Sequence, residues 1–193
     1  MKTALLFIAS TFLLSCSDNI QNSSENQKKQ KTKDSLVTDN SQIGKRKRIA
    51  LMEDSLFAST QLDQGMARRA IALYTSYQKI YWSDTLAPEY LYKAAEISEH
   101  LGFPTKAIEL YQECYDYYPN FPHRPECLFR IGNIYEFTLN DYANAKQTYF
   151  DIVKFHKEHP IAEDAKVAMK NIGKDDIDLI REFEKKNKIK RDK

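Results

Sequence analysis

The 193 residues are enough for one domain with a substantial core plus extensions. Gly and Pro are scarce, at 5 and 6, and the apolar fraction is an ordinary 42%, which favours helices over turn-rich β-structure. The formal net charge of +2 gives no basis for nucleic-acid binding. The sequence contains no Gly-rich phosphate loop and no Gly-x-Ser-x-Gly motif, so we expect that the protein is not an enzyme.

The first 15 residues have the features of a bacterial lipoprotein signal peptide. Lys2 is followed by an apolar run of about 11 residues, too short for a bilayer that needs roughly 20 helical residues. The run ends in Leu13-Leu14-Ser15-Cys16, which resembles the lipobox whose Cys receives a diacylglycerol. The alternative is an ordinary secretory signal with an incidental Cys.

The lipobox resemblance implies a mature chain that begins at a lipidated Cys16 and carries acyl chains such as palmitate. Several chains on one residue hold a protein at a membrane more firmly than a single chain does. We therefore expect a protein anchored in the cell outer membrane, with its domain facing the periplasm rather than the cell surface.

Residues 16–48 are expected to form a disordered polar tether. Ser, Asn, Gln and Lys dominate residues 17–44, where no aromatic residue occurs, so the segment cannot bury enough apolar area to offset the entropy of ordering. The basic run that follows, residues 45–48, is typical of a solvated helix start. The alternative is weak binding to anionic lipid headgroups, worth about 1 kcal/mol per charge.

From residue 49 to residue 173 the sequence repeats with a period of about 37 residues. Three units share a small residue, then Gly or Asn, then Ala, then Tyr, and the third unit contains one inserted residue before its Ala. The four columns are Ala58, Ala95 and Gly132; Gly65, Gly102 and Asn140; Ala70, Ala107 and Ala145; and Tyr74, Tyr111 and Tyr149.

Each unit is expected to form a helix–turn–helix. The small residue lets a neighbouring helix approach closely, and the Ala and Tyr of the second helix pack against the first. Gly or Asn suits the left-handed conformation that ends a helix, so Gly65 and Gly102 are predicted to have positive φ. Pro88 and Pro125 are placed to open first helices, where the missing N–H costs nothing.

The pattern resembles the tetratricopeptide repeat, whose first helix carries Leu, Gly and Tyr and whose second carries Ala, an aromatic residue and a final Pro. The resemblance implies an all-α, right-handed solenoid of about three helix–turn–helix units plus capping helices. The residues that match the family pattern are Leu128, Gly132, Tyr135, Ala107, Tyr111 and Pro119.

Two further helices are expected after the repeats. Residues 161–172 carry Ala162, Ala165, Ala168 and Met169 on one face and are followed by Gly173, as expected of a cap. Residues 174–193 are expected to form a last helix and a basic tail. That helix would begin at Asp175 and carry Ile177, Ile180 and Phe183 along one side.

Two residue pairs have spacings worth testing as chemical sites. His156 and His159 are three apart, but a metal site needs three or four ligands and no cluster completes one, so a cationic helix end is favoured. Cys114 and Cys127 are either two small buried side chains, the favoured interpretation, or a disulfide in an oxidising compartment. No metal or cofactor is expected apart from the lipid on Cys16.

The tetratricopeptide resemblance also implies that first helices line a concave binding face. Turn counting from Ala95 and Gly132 places Glu and aromatic side chains there, and these favour a partner segment carrying Lys or Arg beside apolar residues. The alternative is that the rings are core and the Glu cover a solvated face. The selected residues are Glu89, Tyr92, Glu96, Glu99, His100, Glu126, Phe129, Asn133, Glu136 and Phe137.

Two classes of function are compatible with these patterns. The repeats resemble those of the Tol-Pal coordinator and of BamD-type outer-membrane-assembly lipoproteins, which implies a scaffold that binds an envelope protein or peptide in an assembly, secretion or division complex. The alternative is an obligate structural subunit of an outer-membrane machine with no separable peptide ligand.

Overall fold

The computed structural model describes residues 39–58, 63–174, 178, 180–182 and 184–185, and these contain helices and no strand. The predicted signal peptide, Cys16 and most of the predicted tether lie outside the described residues. The helices are α1 Gln42–Phe57, α2 Gln64–Ile80, α3 Ala87–His100, α4 Pro104–Tyr117, α5 Arg124–Asn133, α6 Tyr142–Phe155 and α7 Ile161–Asn171, and a π-helical turn Ile134–Thr138 continues α5.

Consecutive helices from α2 to α7 pack against one another, so the all-α solenoid predicted from the repeat is confirmed. The Ala column, Ala70, Ala107 and Ala145, is buried at every level. The Tyr column, Tyr74, Tyr111 and Tyr149, supplies the largest fully buried side chains of the core together with Tyr77. As predicted, Pro88 and Pro125 lie in the first turns of α3 and α5.

Contacts divide the chain into two compact units, residues 1–51 and 52–193. In the first unit, α1 begins at Gln42, whereas the sequence predicts a disordered tether as far as residue 48. The early start has a local cause, because Ser41 Oγ accepts a hydrogen bond from the Gly44 N–H at 3.1 Å, as expected of a helix cap. The basic run at residues 45–48 lies in the first two turns of this helix.

The first repeat differs from the predicted register. Helix α1 ends at Phe57, so Ala58 is exposed outside the helix. Gly65 lies in the first turn of α2, where the Asp63 carboxylate accepts from the Met66 N–H at 2.6 Å, and its φ is not positive. The prediction for Gly65 is therefore wrong, because the Asp63 cap starts α2 before the glycine. Gly102, with φ of 73°, matches its prediction.

The inserted residue of the third repeat is absorbed by the π-helical turn Ile134–Thr138. The Leu139 N–H donates to the Ile134 carbonyl at 3.0 Å, an i to i−5 bond, and a π turn accommodates one extra residue in a helix. The turn buries Glu136, which is 7% exposed, and leaves Phe137 73% exposed. Asn140 follows with φ of 52°, in the same left-handed conformation as Gly102.

The predicted capping helix forms as α7 and is followed by Gly173, whose φ is 73°. Ala162 and Ala165 are buried on its inner face. Of the predicted last helix, Asp175, Ile177 and Phe183 lie outside the described residues, and Ile180 is exposed. No helix among the described residues has the length and apolar character needed to cross a bilayer.

Candidate functional site

The residues predicted to line the binding face occupy matching positions on two helices. Those on α3 and those on α5 with its π turn are separated by 37 residues, so Glu recurs at two of these positions and an aromatic ring at a third, whereas Glu96 is matched by Asn133 and His100 by Phe137. Most are half-buried, Glu136 is buried, and His100 and Phe137 are exposed. We call this set the first-helix face: Glu89, Tyr92, Glu96, Glu99, Glu126, Phe129, Asn133, Glu136 and Phe137.

The aromatic rings of the first-helix face belong partly to the core. The Tyr92 ring lies 5.4 Å from the Tyr111 ring and 6.0 Å from the Phe121 ring, centroid to centroid. The Phe129 ring lies 5.6 Å from the Tyr149 ring. Because Tyr92 and Phe129 keep an exposed edge, each ring packs on one side and offers contact area on the other.

Glu99 is paired inside the molecule. Arg130 Nη2 lies 2.9 Å from Glu99 Oε2, and the buried Tyr111 accepts from Arg130 Nε at 3.3 Å and donates to Glu99 at 3.3 Å. The sequence prediction placed no cation on this face, and the structure corrects it, because Arg130 extends from α5 back to α3. Glu99 is therefore already paired and does not offer a free charge to a partner while this triad is intact.

The same arrangement occurs one level earlier. Lys93 Nζ on α3 lies 2.9 Å from Glu53 Oε1 on α1, and the Tyr74 hydroxyl donates to the same oxygen at 2.8 Å. A buried Tyr, a carboxylate and a cation from the next first helix thus recur. Lys93 and Arg130 are 37 residues apart, so a cation recurs at the repeat period. The four predicted columns do not include this position.

At the third level, no described residue supplies the cation of the triad. The Tyr149 hydroxyl lies 2.9 Å from Glu136 Oε2 and 2.8 Å from Asn133 Oδ1. In the described part of the chain, no ion pair to Glu136 is formed. Burial, followed by Glu136 itself, raises the pKa of Tyr149 above its ordinary value, so the tyrosine stays a neutral hydrogen-bond donor.

Glu89 and Glu96 are two further carboxylates of the face, and neither forms an ion pair with a residue that the structure describes. Burial raises the pKa of Glu96, and the neighbouring Glu89 and Glu99 add to the rise, whereas Arg130 and His100 oppose it. A half-buried carboxylate beside like charges is stabilised by an approaching cation.

Glu126 faces histidines rather than a strong cation. Its Oε1 lies 3.8 Å from His123 Nδ1 and 3.8 Å from His159 Nε2, and its Oε2 is buried without a hydrogen-bond partner among the described residues. His156 instead contacts the Tyr115 hydroxyl at 2.9 Å through Nε2. Within the described ranges, no group of three or more His, Cys, Asp or Glu is placed to hold a metal ion.

Cys114 and Cys127 are free and fully buried, in agreement with the packing interpretation. Cys114 Sγ lies 3.6 Å from the Pro88 carbonyl oxygen, and Cys127 Sγ lies 3.4 Å from that of His123. A hydrogen bond with the Cys114 thiol, together with burial, raises the pKa of Cys127. Cys127 is therefore kept as a thiol rather than a thiolate.

An exposed apolar column, which sequence reasoning missed, lies at the ends of the second helices. Ile80, Tyr117 and Phe155 are the last residues of α2, α4 and α6, and all three are exposed, Tyr117 at 72%. Trp82 and Tyr117 also line a cleft of about 580 Å³ between the loops that follow α2 and α4. The signal in the sequence is an apolar residue that recurs at intervals of 37 and 38.

A family model described as a tetratricopeptide repeat matches residues 89–120 and 126–158. These two segments are similar to tetratricopeptide repeats. The two matched segments coincide with the pairs α3–α4 and α5–α6, which hold the whole first-helix face. Tetratricopeptide repeats support protein–protein interaction, so the match supports a protein-interaction scaffold. A comparison with curated proteins finds no match.

Proposed function

We propose that the protein is a membrane-anchored interaction scaffold of the bacterial cell envelope. Diacylglycerol on Cys16 holds it at the outer membrane on the periplasmic side, and its tetratricopeptide repeats bind a segment of an envelope protein. The assembly served is an outer-membrane assembly, secretion or division complex. The signal-like start and the lipobox resemblance support the anchor, and the two matched repeats support the interaction domain.

The observation that carries the proposed binding chemistry is the pair Glu89 and Glu96 on the exposed side of α3. Both are half-buried carboxylates without an ion pair among the described residues, and they lie on the same helix as the half-exposed Tyr92 ring. An approaching Lys or Arg gains charge pairing there, and an apolar neighbour gains contact with the ring. The preferred partner is therefore a basic segment that also carries apolar side chains.

A second candidate is an obligate subunit buried in a larger assembly. The exposed column of Ile80, Tyr117 and Phe155 favours it, because a subunit interface carries aligned apolar side chains that a monomer has no use for. A scaffold is monomeric when purified alone. A subunit of this kind self-associates or aggregates, and mutation of Tyr117 and Phe155 to Ser relieves the aggregation.

The test of the binding face uses the full-length lipidated protein in detergent. A photo-crosslinking amino acid at His100, which is exposed at the edge of the face, captures the partner in cells, and peptides from the captured region are then titrated. We expect Glu89→Lys with Glu96→Lys to weaken binding, more strongly at low salt than at high salt, because exposed charges are screened beyond about 8 Å at physiological ionic strength.

The matched control is the double reversal Glu109→Lys with Asp116→Lys, which changes the same charge on the exposed side of α4. If both double reversals lowered the peptide affinity equally at every salt concentration, the effect would come from the net charge of the protein and not from a specific surface. That result would refute the proposed binding face. Tyr92→Ala should weaken binding more than it lowers stability, although part of its ring packs on Tyr111.

The anchor has its own test. Replacing Cys16 with Ser should abolish both lipid attachment and processing by the lipoprotein signal peptidase. Mass spectrometry of the wild-type mature protein should show an N-terminal Cys carrying diacylglycerol, and an unmodified N-terminus would contradict the proposal. Adjacent Ser15 and Ser17 allow Ser17→Cys in the Cys16→Ser background as a control for the exact position of the acceptor thiol.

A further inference from the structure

The first helices of successive levels begin at intervals of 37 residues, at Ala87, Arg124 and Ile161. The seventh residue of the first two is a cation, Lys93 and Arg130. Each of these cations pairs at 2.9 Å with a carboxylate on the preceding first helix, and a buried Tyr contacts that carboxylate. The seventh residue of a first helix is therefore the position that supplies the cation.

At the third level this position is occupied by Val167, the seventh residue of α7, which is 59% exposed. The carboxylate that would receive the cation is nevertheless present. Glu136 lies 37 residues after Glu99 and is contacted by Tyr149 as Glu99 is by Tyr111. The level thus has the tyrosine and the acid but no cation among the described residues.

An acid in this state has an unmet electrostatic requirement. Glu136 is 7% exposed, and removing a carboxylate from water is unfavourable unless hydrogen bonds and an opposite charge compensate. The Tyr149 hydroxyl supplies a hydrogen bond but no charge. Phe137, the next residue of the π turn, is apolar and 73% exposed, and Val167, the seventh residue of α7, is apolar and 59% exposed.

We propose that Glu136 receives an arginine from the bound partner segment, in the place that Arg130 holds one level earlier. Arginine suits the site better than lysine, because Arg130 reaches the carboxylate through Nη2 and the tyrosine hydroxyl through Nε, whereas the donors of lysine are all on a single nitrogen. The residues beside that arginine are apolar and contact Phe137 and Val167. This inference rests on the proposed function, because it names the anchoring contact of the same binding face.

The first test supplies the missing cation within the chain. The new arginine of Val167→Arg should pair with Glu136 and raise the melting temperature. It should also lower the affinity for the partner by at least about fivefold, since the Glu136 carboxylate is then already paired. Both effects should disappear in the Glu136→Gln background. Phe150→Arg is the matched control, because it places the same charge at another exposed apolar residue, on α6, that belongs neither to the first-helix face nor to the exposed apolar column.

The second test removes the charge from both sides. Glu136→Gln retains an oxygen that accepts from Tyr149, so the fold is expected to survive, and its melting curve verifies this. Glu136→Gln should lower the affinity for a short synthetic peptide with one Arg between Leu and Phe by about tenfold. It should not change the affinity for the same peptide with citrulline in place of Arg, because citrulline is neutral. Glu99→Gln is not expected to discriminate between these two peptides, because Arg130 occupies that level.

The outcomes separate this inference from the proposed function. Equal affinities of wild type and Glu136→Gln for the Arg peptide, together with sensitivity to reversal at Glu89 and Glu96, would overturn the arginine receptor and leave the binding face in place. Stabilisation by Val167→Arg with no loss of partner binding would likewise show Glu136 to be a structural acid only. Absence of binding by any captured or synthetic peptide would overturn both proposals.

Discussion

Gly132 on α5 lies directly against the Tyr149 ring on α6, the second helix of the third repeat. A Cβ built at this glycine would overlap the Tyr149 ring, at 2.8 Å from Cδ1 and 3.0 Å from Cζ and closer still to Cε1. Real side chains are not found at such distances, so Gly132→Ala requires the ring or the helix to move. Ala95, the equivalent residue of the preceding repeat, carries a methyl group and is buried, so the tight contact is a property of this level.

The expected cost follows from two opposing effects. Ala is about 1 kcal/mol better than Gly inside a helix, whereas inserting a methyl group into a packed core costs typically about 1–3 kcal/mol. The upper part of that range applies, because the Tyr149 ring is fully buried and its hydroxyl is held by Glu136 and Asn133. We expect Gly132→Ala to lower the free energy of unfolding by about 1–2 kcal/mol, which corresponds to a fall in Tm of roughly 3–10 °C.

Chemical denaturation of the purified full-length protein, followed by circular dichroism at 222 nm, measures the change. Tyr149→Leu removes the obstructing ring, and in that background Gly132→Ala should be neutral or stabilising by up to about 1 kcal/mol. Gly65→Ala is the control for helix propensity alone, because its Cβ would meet only Asp63 Oδ1 at 3.3 Å. A Gly132→Ala protein as stable as wild type, or a penalty that persists in the Tyr149→Leu background, would refute the steric argument.

Three further predictions concern the repeats. Gly102→Val should cost more than about 1 kcal/mol, because a β-branched residue is strained at a φ of 73° even though no atom lies within 4 Å of its Cβ; an unchanged Tm would contradict this. Cys114 and Cys127 should both react with a thiol reagent after denaturation without reductant and resist it in the native state, and the absence of reactive thiols on denaturation would indicate a bridge. Arg130→Met should lower the free energy of unfolding by about 1–3 kcal/mol, because it leaves the half-buried Glu99 without its cation. Adding Glu99→Gln to the same protein should partly restore the stability.

Most of the fold could be predicted because its determinants are local and repeated. Periodicity identified the helix pairs from residue 87 to residue 155, and Gly102 fixed one helix end through its own backbone preference. The first repeat was misplaced because Gly65 matched the column in sequence, while the Asp63 side chain capped α2 two residues earlier. The Asp63 cap, and not the alignment of Gly65 with the other repeats, thus determined where the helix starts. A single sequence does not show which of these two features decides a helix boundary.

The candidate binding face was predicted only in part. Turn counting placed its residues on the correct helices, since position along a helix fixes the side on which a residue lies. It did not predict that Arg130 pairs with Glu99 or that Tyr149 buries against Glu136, because these contacts join residues on different helices. Whether Tyr92 is core or surface also depended on a neighbouring helix, which supplies Tyr111.

The sequence by itself determined the helical fold, the repeat period and the position of the inserted residue, because backbone preferences and hydrophobic spacing act over a few residues and leave a direct record in the order of the chain. The tertiary structure alone decided which charges are satisfied. Glu99 and Glu136 occupy the same repeat position, yet among the described residues only Glu99 meets an arginine, because the seventh residue of the following first helix is Arg130 in one case and Val167 in the other. A carboxylate's charge is compensated by whatever lies a few ångströms away in space, and that distance is set by how the helices stack.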